Sequence, residues 1–114
     1  MLLKIVSILL LFFGESLAIY AEVVSAREFQ NNLFGQVFLK MFLIMTLAGG
    51  FLIAGYMLGF KSFKDIWVVS VISVVSIIFM EPVINYMIFQ ELPTTGTAVG
   101  LTLGILGLLS MMLL

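Results

Sequence analysis

The chain has 114 residues, of which 63% are hydrophobic and 10% are charged, and its formal net charge is −1. Globular domains carry about 45–50% apolar and about 25% charged residues, so this composition excludes a soluble domain and predicts an all-α integral membrane protein. The absence of cysteine and histidine excludes disulfides, thiol chemistry and histidine metal sites, and the slight acidity leaves no basic surface for nucleic acid. We therefore expect membrane lipid, not nucleic acid, around the chain.

Four apolar stretches are each long enough to cross a bilayer, which takes about 20 residues. They predict a single domain over residues 1–114 with four transmembrane helices, at about residues 2–24, 34–60, 66–89 and 95–114. Short polar segments connect the helices, and Asp65 is suited to cap the start of the third.

The basic residues predict the orientation of the helices in the membrane. Lys4, Lys61 and Lys64 fall on one side, and Arg27 and Lys40 fall on the other. This excess of three to two favours both termini in the cytoplasm of a multi-pass protein in the cell (inner or plasma) membrane. So small an excess also permits insertion in both orientations.

The first helix has an alternative interpretation as a signal peptide. Lys4, the apolar stretch after it and the segment Ala18–Ala21 resemble a signal sequence with a small-residue cleavage site. The apolar stretch continues through Val24, which favours a retained transmembrane helix.

Glu15 lies near the middle of the first predicted helix, where an ionisable side chain costs about 2.5–3.5 kcal/mol on insertion scales. Such a residue predicts a proton or substrate site, the alternative being a structural hydrogen bond to a neighbouring helix. Glu22 falls on the same helix face, about 10 Å further along the axis. It is a second candidate, or else an interfacial residue paired with Arg27.

The third predicted helix carries another acidic residue, Glu81. At 100° per residue, Ser70, Ser73, Glu81 and Asn85 fall within about a third of the helix circumference. Lipid cannot satisfy such a polar stripe, so we expect it to face the protein interior or water and to contribute to the site. The alternative is a stripe that only holds helices together by hydrogen bonds.

Glycines four residues apart punctuate the second and fourth helices and allow two helix backbones to approach closely. They predict packing or dimer surfaces, without distinguishing a helix of the same chain from a second copy. The residues are Gly55 and Gly59 in the second helix and Gly96, Gly100 and Gly104 in the fourth.

The chain carries none of the enzyme motifs that the sequence would reveal. It has no phosphate-binding glycine loop, no nucleophile with a base and no cluster of metal ligands. We therefore expect a protein that is not an enzyme and that needs no cofactor. No site is assigned to its many Phe and Met side chains, which are usually lipid-facing or core residues.

The stretch from Pro82 to Gly107 resembles the closing pair of helices in the drug/metabolite transporter superfamily. The shared features are an acidic residue after the third helix, Glu91, a glycine nine positions later, Gly100, and a fourth helix punctuated by glycines. The chain length, the four spans and a membrane-embedded glutamate in the first helix are similar to the small multidrug resistance branch. In that branch the key glutamate usually lies in an Ala-Glu-Val-like segment, which Ala21, Glu22 and Val23 match, whereas hydropathy places Glu15 at mid-membrane.

The resemblance implies proton-coupled export, or antiport, of a hydrophobic or cationic small molecule. A membrane-embedded glutamate would be the shared proton and substrate site, and a homodimer or a heteromer with a related chain would form the pathway. One alternative is a flippase subunit of the same superfamily that moves a lipid-linked substrate. Another is an accessory subunit of a larger membrane complex that transports nothing itself.

Overall fold

The computed structural model describes residues 1–114 and contains four α-helices and no strands. The helices are α1 (Leu2–Glu28), α2 (Phe34–Phe63), α3 (Ile66–Phe89) and α4 (Thr95–Leu113). Each helix is long and apolar enough to cross a membrane. The predicted all-α class is confirmed, and the chain is a multi-pass membrane protein by the length and composition of its helices.

The first two helices extend beyond their apolar stretches. α1 continues to Glu28, four residues past the expected end, and α2 continues to Phe63, three residues past it. The Ser25 hydroxyl donates a hydrogen bond to the backbone oxygen of Ala21 (2.6 Å), and Arg27 lies in the last turn, where the helix dipole favours a positive charge. Hydropathy marks the edge of the apolar region, whereas backbone hydrogen bonding continues into the interface.

The four helices form a flat layer and not a closed bundle. The chain measures 46 × 34 × 16 Å along its principal axes, and one helix with its side chains is about 10–12 Å across. α1 packs most extensively, against both α2 and α3, while α2 meets α3 only near the turn that joins them and α4 contacts α3 alone. The lateral order is therefore α2, α1, α3, α4, and most side chains lie on one of the two open faces.

Glycines bring α1 and α2 together in a reciprocal way. A Cβ atom built on Gly55 would lie 2.8 Å from Leu11 Cγ, and one built on Gly14 would lie 2.8 Å from Leu52 Cδ2. Each helix thus places a leucine over a glycine of the other. At the far end of α2, a Cβ on Gly59 would lie 3.1 Å from Val69 Cγ2 of α3.

The glycines of α4 have different surroundings from those of α2. A Cβ atom built on any of them would meet no other atom within 4 Å. These glycines are Gly96, Gly100, Gly104 and Gly107. Within one chain they therefore contribute no close helix packing, and the face that carries them is open.

Two connections set the directions of α3 and α4. Asp65 caps α3, because its Oδ1 accepts a hydrogen bond from the backbone N–H of Trp67 (2.9 Å). Lys64 ends α2 with φ 60°, and Gln90 ends α3 with φ 56°. Both lie in the left-handed region, which favours glycine at the end of a helix.

Replacing Lys64 with glycine is expected to raise the free energy of unfolding by about 1 kcal/mol, because a side chain makes the left-handed conformation unfavourable. Thermal unfolding in detergent measures the change. Lys61→Gly is the matched control: Lys61 lies inside the last turn of α2, so glycine there should lower stability by about 1 kcal/mol. A Lys64→Gly protein that is less stable than wild type would contradict the expectation.

Candidate functional site

Glu15 lies midway along α1 and is bonded to α3. The Ser73 hydroxyl donates a hydrogen bond to Glu15 Oε1, and Ser73 itself is buried, with 5% of its surface exposed. Adjacent residues on a helix point about 100° apart, so Gly14 meets α2 while Glu15 meets α3. The central place of α1 in the layer therefore allows it to present a carboxylate to one neighbour and a flat surface to the other.

A cavity of about 720 Å3 lies between α1, α3 and the start of α4; we call it the acidic cavity. Three carboxylates line it, and no lysine or arginine does. Its polar lining comprises Glu22, Glu81, Asn85, Tyr86, Glu91, Thr94 and Thr97. This arrangement is suited to a positively charged ligand.

The predicted site residues separate into two groups. Glu22, Glu81 and Asn85 line the acidic cavity, and the Glu15–Ser73 pair lies two turns of α1 away, about 10 Å along the axis. Ser70, also predicted, is half-buried and lines neither of the cavities described here. The polar stripe of α3 is therefore divided between contact with Glu15 and the wall of the acidic cavity.

Glu22 is not paired with Arg27. The Arg27 guanidinium donates to the backbone oxygen of Ile88 (3.5 Å), and the ion pair of the chain joins Lys40 Nζ to Glu28 Oε1 at 3.5 Å. Both contacts lie at the end of the layer where α1 and α3 finish. Glu22 is exposed and has no basic partner within the chain.

Glu91 and Tyr86 line the acidic cavity, although neither was among the predicted site residues. Glu91 follows the left-handed end of α3 at Gln90, where the chain turns toward α4. The signal available in the sequence was an acidic residue next to a helix end, close to the polar stripe that contains Asn85.

A second cavity, of about 440 Å3, lies between α1 and α2; we call it the aromatic groove. Its lining is almost entirely apolar, and Glu22 is the charged residue in it. The large side chains that line it are Phe29, Phe34, Phe38, Phe42, Met41 and Met45. No site was expected here, because Phe and Met are common throughout the chain.

Comparison with known protein families, with curated proteins and with solved structures finds no match for this chain. The fold and the site define a multi-pass membrane protein with a carboxylate bonded between two helices at mid-span. An acidic cavity and an aromatic groove lie about two turns further along α1, on either side of Glu22.

Proposed function

We propose that this chain is a small proton-coupled transporter of the cell membrane that exports a hydrophobic or cationic small molecule. Glu15 is the shared proton and substrate site. The observation that carries the proposal is the position of Glu15, at the middle of an apolar helix and bonded to Ser73 of the next helix. A carboxyl group at that depth costs about 2.5–3.5 kcal/mol on insertion scales, and such residues usually mark ion or proton pathways.

The acidic cavity supports a cationic substrate. Its three carboxylates, Glu22, Glu81 and Glu91, are not balanced by any basic residue in the lining. A cation and a proton that compete for the same carboxylate cannot occupy it together. At Glu15, about 10 Å along α1 from this cavity, such exclusive occupancy would couple the movement of the substrate in one direction to that of protons in the other.

The shape of the layer supports a homodimer, or a heteromer with a related chain. A layer 16 Å thick cannot enclose a substrate, and Glu22, Glu81 and Asn85 are exposed on it. Lipid cannot satisfy such side chains in the apolar region of a membrane. Two layers that meet face to face would bury these residues and enclose a pathway between them.

A second candidate function is that of an accessory subunit in a larger membrane complex. The observation that favours it is α4, which contacts only α3 and leaves its glycine face open. In that case helices of an unrelated protein would cover α4 and the exposed carboxylates. Purification of a stoichiometric unrelated partner would favour this function, and a well-behaved particle made only of this chain would favour the transporter.

The test of the shared proton and substrate site is proton release in weakly buffered detergent solution when tetraphenylphosphonium is added. We expect wild type to release protons as the cation displaces them from Glu15, and Glu15→Gln to release none. Glu28→Gln is the control, since Glu28 lies at the end of α1 in the ion pair with Lys40 and should release protons like wild type. Unchanged release from Glu15→Gln would contradict the proposal.

A further inference from the structure

We propose that the aromatic groove is a second binding site, for an organic monocation whose charge is surrounded by apolar substituents, with Glu22 as the counter-charge. This proposal rests on the proposed function in one respect, that the ligand is a cationic small molecule. Binding in the groove requires the walls of α1 and α2 and does not require Glu15.

Glu22 and Ala26 place the groove next to the acidic cavity. Both residues are exposed and lie one helical turn apart, and both line the groove and the acidic cavity. They therefore form a ridge of α1 with one cavity on each side, on the same face of the layer. A ligand held by Glu22 in the groove lies directly beside the acidic cavity.

The opposite wall of the groove is a stripe of phenylalanines on α2. Phe34, Phe38 and Phe42 are spaced one turn apart, and their ring centroids are 5.4 and 5.8 Å apart with interplanar angles of 21° and 16°. Phe29 continues the stripe from the end of α1 and meets Phe34 edge to face. An organic cation within about 6 Å of such a ring is attracted by its electron-rich face.

The charge in the groove identifies a cation as its ligand in preference to a lipid chain. Glu22 is the charged group in the lining, and the two basic residues at this end are engaged elsewhere, Arg27 with Ile88 and Lys40 with Glu28. A lipid chain would contact the phenylalanines but leave the carboxylate unpaired in apolar surroundings, which is unfavourable. A cation with apolar substituents pairs with the carboxylate on one wall and packs against the phenylalanines on the other.

The length of the groove fits a ligand with its charge at the centre. The groove extends from Phe34 to Met45, about 16 Å along α2 at 1.5 Å per residue. Glu22 lies beside Ala21, which packs with Val37 and Met41 in the middle of that length. Met41 and Met45 have flexible side chains that adapt to ligands of different shape.

The test is equilibrium binding of radiolabelled tetraphenylphosphonium to the detergent-purified protein at one fixed pH. Phe38→Ala is expected to weaken binding about fivefold, within the range of a single cation–π contact. Phe60→Ala is the matched control: Phe60 is an exposed phenylalanine of α2 outside the groove and should bind like wild type. Equal binding by these two variants would overturn the proposal.

The second part of the experiment tests whether binding depends on the charge of the ligand. It compares tetraphenylphosphonium with tetraphenylsilane, an uncharged compound of similar shape. We expect Glu22→Gln to weaken binding of the cation about tenfold, because the variant loses the attraction between opposite charges, and to leave binding of the uncharged silane unchanged. Tetraphenylsilane that binds wild type as tightly as the cation would overturn the proposal and identify the groove as a site for uncharged lipid chains.

The outcomes separate this proposal from the proposed function. If Phe38→Ala weakens cation binding while wild type releases no protons, the groove is a binding site and the transporter proposal fails. If wild type releases protons, Glu15→Gln releases none, and Phe38→Ala binds the cation like Phe60→Ala, the proposed function is supported and the groove proposal is overturned.

Discussion

Replacing Gly55 with alanine is expected to lower the free energy of unfolding by about 1–3 kcal/mol, the usual effect of adding volume to a packed contact. The new methyl group would lie 2.8 Å from Leu11 Cγ and 3.2 Å from the Leu11 backbone nitrogen. A change of side-chain rotamer could relieve the first contact but not the second, so α1 and α2 must move apart. Thermal unfolding in detergent measures the loss.

Two further variants test this explanation. Gly104→Ala adds the same methyl group on α4, where nothing lies within 4 Å, so stability should not fall. Leu11→Ala removes the side-chain atoms that crowd Gly55, so the double variant Leu11→Ala/Gly55→Ala should lose less stability than the sum of its single changes. A Gly55→Ala protein as stable as Gly104→Ala would contradict the reciprocal packing of α1 and α2.

The second large effect concerns the hydrogen bond between Ser73 and Glu15. Ser73→Ala removes the donor and leaves the carboxyl group unsatisfied between two helices, so we expect a loss of about 1–3 kcal/mol. Replacing both residues, as Glu15→Leu/Ser73→Ala, is expected to give a protein at least as stable as wild type. Apolar pairs of similar size often replace buried polar pairs without loss. The double variant should nevertheless release no protons when tetraphenylphosphonium is added.

The control for this comparison is Ser76→Ala. Ser76 is also buried in α3, but its hydroxyl donates to the backbone oxygen of Ile72 in the same helix (2.9 Å). Alanine is the better helix former and leaves no acceptor without its helical hydrogen bond, so this change should alter stability by less than about 0.5 kcal/mol. If Glu15→Leu/Ser73→Ala were as unstable as Ser73→Ala, the role of the Glu15–Ser73 hydrogen bond would be to stabilise the fold. A stable but inactive double variant means that Glu15 is kept for transport.

The helices were predictable from the sequence because the bilayer fixes the length of an apolar span. The third helix begins at Ile66 and ends at Phe89, as its hydropathy indicates. The end of α1 was not predictable in the same way. Arg27 and Glu28 are charged, which suggests a loop, yet the helix continues through them because its hydrogen bonds extend beyond the apolar region.

The candidate site was predictable only in part. The helical period places Glu81 and Asn85 on one face of α3, and both line the acidic cavity. The same period cannot show that Ser73, and not Ser70, meets Glu15, because the choice depends on how α3 is rotated against α1. The aromatic groove was not predicted, since its walls come from two helices and only their packing brings Glu22 beside Phe38.

The single contact of α4 with α3 has a consequence for assembly. Chains fold from the amino terminus as they are synthesised, so α1, α2 and α3 complete their mutual contacts before α4 enters the membrane. α4 then attaches with only Leu108 buried. Its exchange with the same helix of a neighbouring chain would leave the Glu15–Ser73 pair in place. The protein thus consists of three mutually packed helices and a fourth helix that is held by α3 alone.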